Sequence, residues 1–180
     1  RPIRLAAHLT LQAQRDLVRP YRVGRRRAVD APGPIYCVGF HSDTLGLSHA
    51  ARLLSAGLRQ AGFEVIDIDI DRRAPRRAAL PERLEGGMVL SVLNPPELLL
   101  FADGPGARLL RGRRHVSHWA WELPQAPAAW ARALPYVDEV WAPSAFTAQA
   151  LSELCGETPV RVAPTPRRAF QGWRYLEPKD

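Results

Sequence analysis

Cysteine is nearly absent from these 180 residues, with Cys37 and Cys155 the two present. They lie too far apart for a metal-ligand pair, and no disulfide framework can be built from them. Cys37 sits in an apolar run, so both are read as buried free thiols of a reducing compartment. Long hydrophobic runs are missing too. No stretch approaches the ~20 apolar residues that cross a bilayer, and the first residues hold no signal-like apolar segment. The expected location is therefore cytoplasmic. Lysine is reduced to Lys179, leaving arginine to carry nearly all the positive charge. Glycine signatures are absent as well: there is no G-x-G-x-x-G and no Gly-Lys-Ser/Thr. That argues against a nicotinamide enzyme and against a P-loop.

What is present begins with charge. The formal net charge is +7, and residues 1–28 hold all of it. Arginines 1, 4, 15, 19, 22, 25, 26 and 27 stand there against the single acid Asp16, while basic and acidic residues balance over 29–180. A balanced globular part offers no general field for a polyanion, so nucleic acid is not an expected partner. An anionic membrane surface could be touched through residues 1–28, which would make the protein membrane-peripheral. In that segment Ile3, Ala7, Leu11 and Leu17 fall near helical spacing, and "VGRRRAVDAPGP" follows as a linker.

From residue 34 the pattern alternates strand and helix. "PIYCVGF" (34–40) is a continuous apolar run, the mark of a strand covered on both faces. "GLSHAARLLSAGLRQAG" (46–62) sets Leu47, Ala51, Leu54, Leu58 and Ala61 along one stripe of a helix ending at Gly62. "FEVIDIDID" (63–71) alternates apolar and acidic residues, as a strand near a sheet edge does. Further strands are expected at 87–94, 115–121, 138–143 and 159–165. Helices are expected from Pro96 or Glu97, near 127–135, and over 144–156 with Ser144 as N-cap. The fold class is α/β: one Rossmann-like, doubly wound parallel sheet of about six strands. The division is a helix and linker over 1–32, the Rossmann-like domain over 33–166, and the start of a connection over 167–180.

In such sheets ligands sit beyond the carboxyl ends of the strands, which selects 41–48, 94–97, 118–124 and 143–146. In "GFHSDTLGLSHAAR" (39–52) Gly46 could let backbone approach a ligand at a helix N-terminus, or serve an ordinary turn. Asn94, ending the strand in "LNPPELL", could face the crevice or cap the turn. Asp67, Asp69 and Asp71 share one strand face and are read as solvated. "HWAWELPQAPAAW" (118–130) brings His118, Trp119, Trp121 and Glu122 to the rim, where a histidine can act as general base or hydrogen-bond donor. The alternative is that its tryptophans pack the edge of a core.

In order, "GLSHAARLL", "LNPPEL", "HWAWELPQAPAAW", "VDEVWAPSAFTAQAL" and "PVRVAPTP" resemble the N-terminal half of retaining, family-four GT-B-type glycosyltransferases. The WELP block followed by V-D-E-V-W-A-P-S is the specific part, and the resemblance covers roughly 34–166. It implies an acceptor-side domain facing a C-terminal domain that holds the nucleotide-sugar donor. Transfer would then need no metal or other cofactor, the nucleotide sugar being a co-substrate. The resemblance makes His118 the catalytic candidate, with Gly46, Leu47, Ser48, Asn94, Trp119, Trp121, Glu122 and Ser144 binding substrate. Ser48 and His49 stand where that group has Gly-Glu, and the donor half is expected to lie outside this chain. The competing class is a non-catalytic Rossmann-like binding or scaffold module.

Overall fold

The computed structural model describes residues 31–166. The helix and linker expected before residue 31, and the connection expected after 166, lie outside the described residues. Strands β1 (Ile35–Gly39), β2 (Val65–Asp69), β3 (Met88–Ser91), β4 (His115–His118), β5 (Glu139–Ala142) and β6 (Val160–Val162) form one sheet. Its order is β2-β1-β3-β4-β5-β6, and every pairing is parallel. This is a single Rossmann-like α/β domain. The chain reverses its direction of travel across the sheet between β1 and β3, so a crevice opens where their ends diverge.

Helix α1 (Gly46–Gln60) covers one face, while α2 (Pro95–Ala102), α3 (Gly106–Leu110) and α4 (Ala145–Cys155) lie against the other. On the α1 face Ile35, Cys37, Val65, Leu90, Val92 and Val116 pack against Ala51 and Leu54. The opposite core gathers Tyr36, Val38, Phe40, Ile68, Val89, Leu93, Leu98, Phe101 and Leu109. Strand residues alternate between the two lists, as the two-residue period requires. The helix expected near 127–135 is instead a 3₁₀ segment, Ala128–Tyr136, because Pro135 within it removes a donor and limits the α-helical ladder. Neither α3 nor the short 3₁₀ turn Pro75–Arg77 was foreshadowed by periodicity.

Helix α1 buries Ser48, Ala51, Leu54 and Ser55, a stripe turned slightly from the one its leucines suggest. The reason is close approach. A Cβ on Gly39 would sit 2.8 Å from the Ala51 Cβ, so the helix contacts β1 through small side chains.

Beneath the opposite face lies a buried polar chain. Trp119 Nε1–H donates to Ser117 Oγ at 2.8 Å, Ser117 and Ser91 hydroxyls meet at 2.7 Å, and Ser91 Oγ meets His115 Nε2 at 2.8 Å. His115 Nδ1 meets the Tyr136 carbonyl at 2.5 Å. A carbonyl only accepts, so Nδ1 carries the proton. The neutral ring then accepts from Ser91, which accepts from Ser117, which accepts from Trp119. One arrangement of protons satisfies every group, tying β3, β4 and the 3₁₀ segment together.

Candidate functional site

A cavity of about 580 Å³ opens at the carboxyl ends of the strands, lined by Gly46, Leu47, Ala50, Asn94, His118, Ala120, Trp121, Glu122, Leu123, Pro143 and Thr165. Several elements assemble it. The loop after β1 is pinned by Arg52, whose guanidinium donates to the carbonyls of His41 and Asp43 at 2.7 and 2.8 Å. That presents the first turn of α1, which has no side-chain cap and no acidic residue. The turn after β3 is fixed by Asn94, whose Oδ1 accepts the Ala120 N–H at 2.9 Å. Because that partner is a donor, the oxygen of the amide is assigned and its NH₂ is left on the other side.

The segment after β4 is held from three directions. Besides the Asn94 bond, Thr147 Oγ1 donates to the Trp121 carbonyl at 3.0 Å, and the Trp121 indole N–H donates to the Gln125 carbonyl at 2.8 Å. The Trp121 ring meets Trp130 edge-on, with centroids 4.9 Å apart. The resulting wall is half-buried and aromatic, with Glu122 exposed beside it.

His118 stands apart from every other polar side chain of the wall. It is 1% exposed, yet neither ring nitrogen has a hydrogen-bond partner in another residue. Burial pushes its pKa down to about 4 against a smaller opposing pull from the residue's own backbone, so the ring is neutral near pH 7. A neutral imidazole offers one donor and one acceptor. Buried polar atoms without partners are uncommon and costly, and these belong to a residue lining a cavity. His115 is likewise held down to about 4 by burial, but its nitrogens are both engaged.

Gly46 adds a second indication. Its φ is not positive, and a Cβ there would meet nothing within 4 Å. Neither turn geometry nor packing within the described residues requires glycine, and the residue lines the cavity. Gly46→Ala is therefore expected to leave the melting temperature unchanged or raise it, since alanine is favoured over glycine in a helix by about 0.5–1 kcal/mol. If the open space serves a ligand, the same substitution should weaken ligand binding, which titration of both proteins would show.

The sequence-derived residues separate into two groups. Gly46, Leu47, Asn94, His118, Trp121 and Glu122 converge on the cavity. Trp119, Ser48 and Ser144 do not line it. Trp119 alternates to the opposite face and is fully buried there, with its ring centroid 6.0 Å from that of Trp130. Ser48 lies against the sheet at 0% exposure. Ser144 caps α4, its Oγ accepting the Thr147 N–H at 3.1 Å. Ala50 and Thr165 were missed. Ala50 lies one turn beyond Leu47 on the same helix face, a spacing that could have revealed it; Thr165 carried no sequence signal.

A family model described as "Protein of unknown function (DUF1489)" matches residues 147–180. The described part of that stretch holds most of α4 and all of β6, and of the cavity lining it includes Thr165. No curated protein and no solved structure matches the chain.

A second concavity, of about 630 Å³, lies between residues 124–128 and the outer face of α4, with Phe146, Gln149 and Glu153 in its lining. None of the buried, unpartnered side-chain atoms lines it. The strand-end cavity holds two, both ring nitrogens of His118, which makes it the stronger candidate.

The buried histidines also set a pH dependence. Unfolded, each would protonate with a pKa near 6.5; folded, burial keeps both neutral down to about 4. Below 6.5 the unfolded chain therefore binds more protons, and stability falls with pH until about 4. Denaturant midpoints measured between pH 4 and 8 should be level above 7 and decline steadily below 6.5. A midpoint unchanged at pH 4.5 would show that these rings protonate without unfolding.

Proposed function

We propose that this domain is the acceptor-side half of a glycosyltransferase that moves a sugar from a nucleotide sugar to an acceptor hydroxyl. The observation that carries the reading is the buried, partnerless imidazole of His118 beside Asn94, Trp121 and the open first turn of α1. A sugar hydroxyl can both donate and accept, matching a neutral ring with one of each. The Trp121 ring supplies the apolar surface that pyranose C–H faces need, and Glu122 and the Asn94 amide supply polar rims. The resemblance to family-four GT-B-type sequences supports the same assignment.

In this reading His118 touches the hydroxyl or the transferred sugar, and holds or accepts a proton there. Asn94 is a positioning residue whose bond to Ala120 sets the wall. The donor nucleotide is bound by a C-terminal domain, and transfer uses no resident metal or cofactor. Residues 1–28, rich in arginine, would bring the protein to an anionic membrane surface. Among the described residues no helix is long and apolar enough to cross a membrane.

The test is chemical-shift mapping on the chain with simple alkyl glycosides at millimolar concentration. Shifts confined to Leu47, the Asn94 amide, His118, the Trp121 indole and Glu122 are expected. Shifts at the concavity beside α4, or none, would refuse the assignment.

A further inference from the structure

On the α1 face, away from the cavity, the sheet register brings together three metal-ligating side chains. Cys37 and Asp67 are direct partners across β1 and β2. His41, two residues past β1, folds back so that its Nε2 lies 2.9 Å from the Cys37 carbonyl and 3.9 Å from Asp67 Oδ1. Thiol sulfur, imidazole nitrogen and carboxylate oxygen all lie within 4.8 Å of one another. The cluster shares no residue with the cavity lining.

We propose that Cys37, His41 and Asp67 form a binding site for one soft divalent transition-metal ion of the zinc type. The donor set decides the class. One sulfur, one nitrogen and one oxygen suit zinc or cobalt, whereas calcium and magnesium need shells made of oxygen. Tetrahedral zinc with bonds of about 2.0–2.3 Å puts its ligand atoms about 3.3–3.7 Å apart, so the cluster must tighten by roughly 1 Å. Cys37 is fully buried while Asp67 is about one-third exposed. The open side of the cluster leaves the fourth position to water.

The carboxylate is already held as a ligand should be. Its Oδ2 accepts from the Arg59 guanidinium at 2.9 Å, and Oδ1, which faces His41, accepts from the Ser55 hydroxyl at 2.5 Å. Arg59 also donates to Ser55 Oγ and to the Val65 carbonyl, at 2.7 and 3.0 Å. Such outer contacts orient metal ligands, and Oδ1, though it accepts from Ser55, keeps a second lone pair for the cluster. Binding has two local costs. The Cys37 thiol, whose pKa burial pushes up to about 12, must lose its proton to solvent as the sulfur–metal bond forms. Its present contact, to the Ala51 carbonyl at 3.9 Å, is weak. His41 shifts its proton to Nδ1 and gives up the Cys37 carbonyl.

Cobalt(II) is the probe, because thiolate ligation produces a charge-transfer band in the near ultraviolet. Titration of the full chain should raise that band to a plateau at one equivalent, and zinc should bleach it. Cys37→Ser should abolish the band, and His41→Ala should weaken binding at least tenfold. Cys155→Ser, which removes the other thiol, should leave it intact. His41 packs at the loop rather than in either core, so its variant separates lost ligation from lost folding, with circular dichroism as the check. No band on cobalt addition, a band surviving Cys37→Ser, or His41→Ala binding as tightly as the parent would each overturn the site.

Discussion

Trp119→Ala is expected to destabilise the domain by about 3–5 kcal/mol, the range for deleting a large buried aromatic side chain. The ring is fully buried, packs edge-on to Trp130, and supplies the terminal N–H of the chain running through Ser117, Ser91 and His115 to the Tyr136 carbonyl. Truncation would leave a cavity and strip Ser117 Oγ of its donor. Trp119→Phe separates the two losses. It keeps most of the packing and removes the hydrogen bond, at a cost of about 1–3 kcal/mol. Trp121→Ala should cost clearly less than Trp119→Ala, because that residue is only partly buried and its N–H bond lies near solvent. Urea denaturation of the three variants decides the order. Equal losses for Trp119→Ala and Trp121→Ala would contradict the division of the two rings between core and wall.

His118→Ala should reverse that pattern, with a small change in stability and a large one in activity. Its ring forms no hydrogen bond to another residue, and its removal takes two polar atoms without such a partner out of a buried place. Some packing is forfeited, so a shift of a few degrees in melting temperature is expected. Measured on an enzyme holding both this domain and a donor domain, turnover should drop roughly a hundredfold or more, as losses of general-base or charge-stabilising groups do. His118→Gln, which retains a donor and an acceptor, should recover part of the rate. Turnover that survives His118→Ala, or falls only in proportion to unfolding, would favour a non-catalytic binding module.

The fold was legible because the chain alternates strong signals. Apolar runs such as 34–40 and 87–94 are too continuous for half-exposed strands, so both faces had to be covered. The crevice followed from topology, and Gly46, Asn94, His118 and Trp121 meet there because each lies at or beyond the carboxyl end of a strand. Smaller residues carried less. Ser48 was expected to bind substrate, yet it lies with Ser55 on the buried stripe of α1, because the helix approaches β1 too closely for larger side chains. The metal-ligating cluster was hidden for another reason. Cys37 and Asp67 are adjacent only through strand register, and the distance from His41 to Cys37 depends on a loop folding back. Neither is written in local spacing.

The four-residue strand β4 sends His115 and Ser117 to one face and Val116 and His118 to the other. Its sequence is thus two interleaved messages, one for the scaffold and one for the cavity. A single inserted or deleted residue between 115 and 118 would change more than the strand's length; it would put both imidazoles on the same face. Either the imidazole matched to Ser91 and Tyr136 would turn beneath α1, or the partnerless one would turn into a network with no place for it. Substitutions can explore either message independently, whereas length changes in this strand alter both at once. Within this stretch, variation should therefore appear as replacement rather than as gaps.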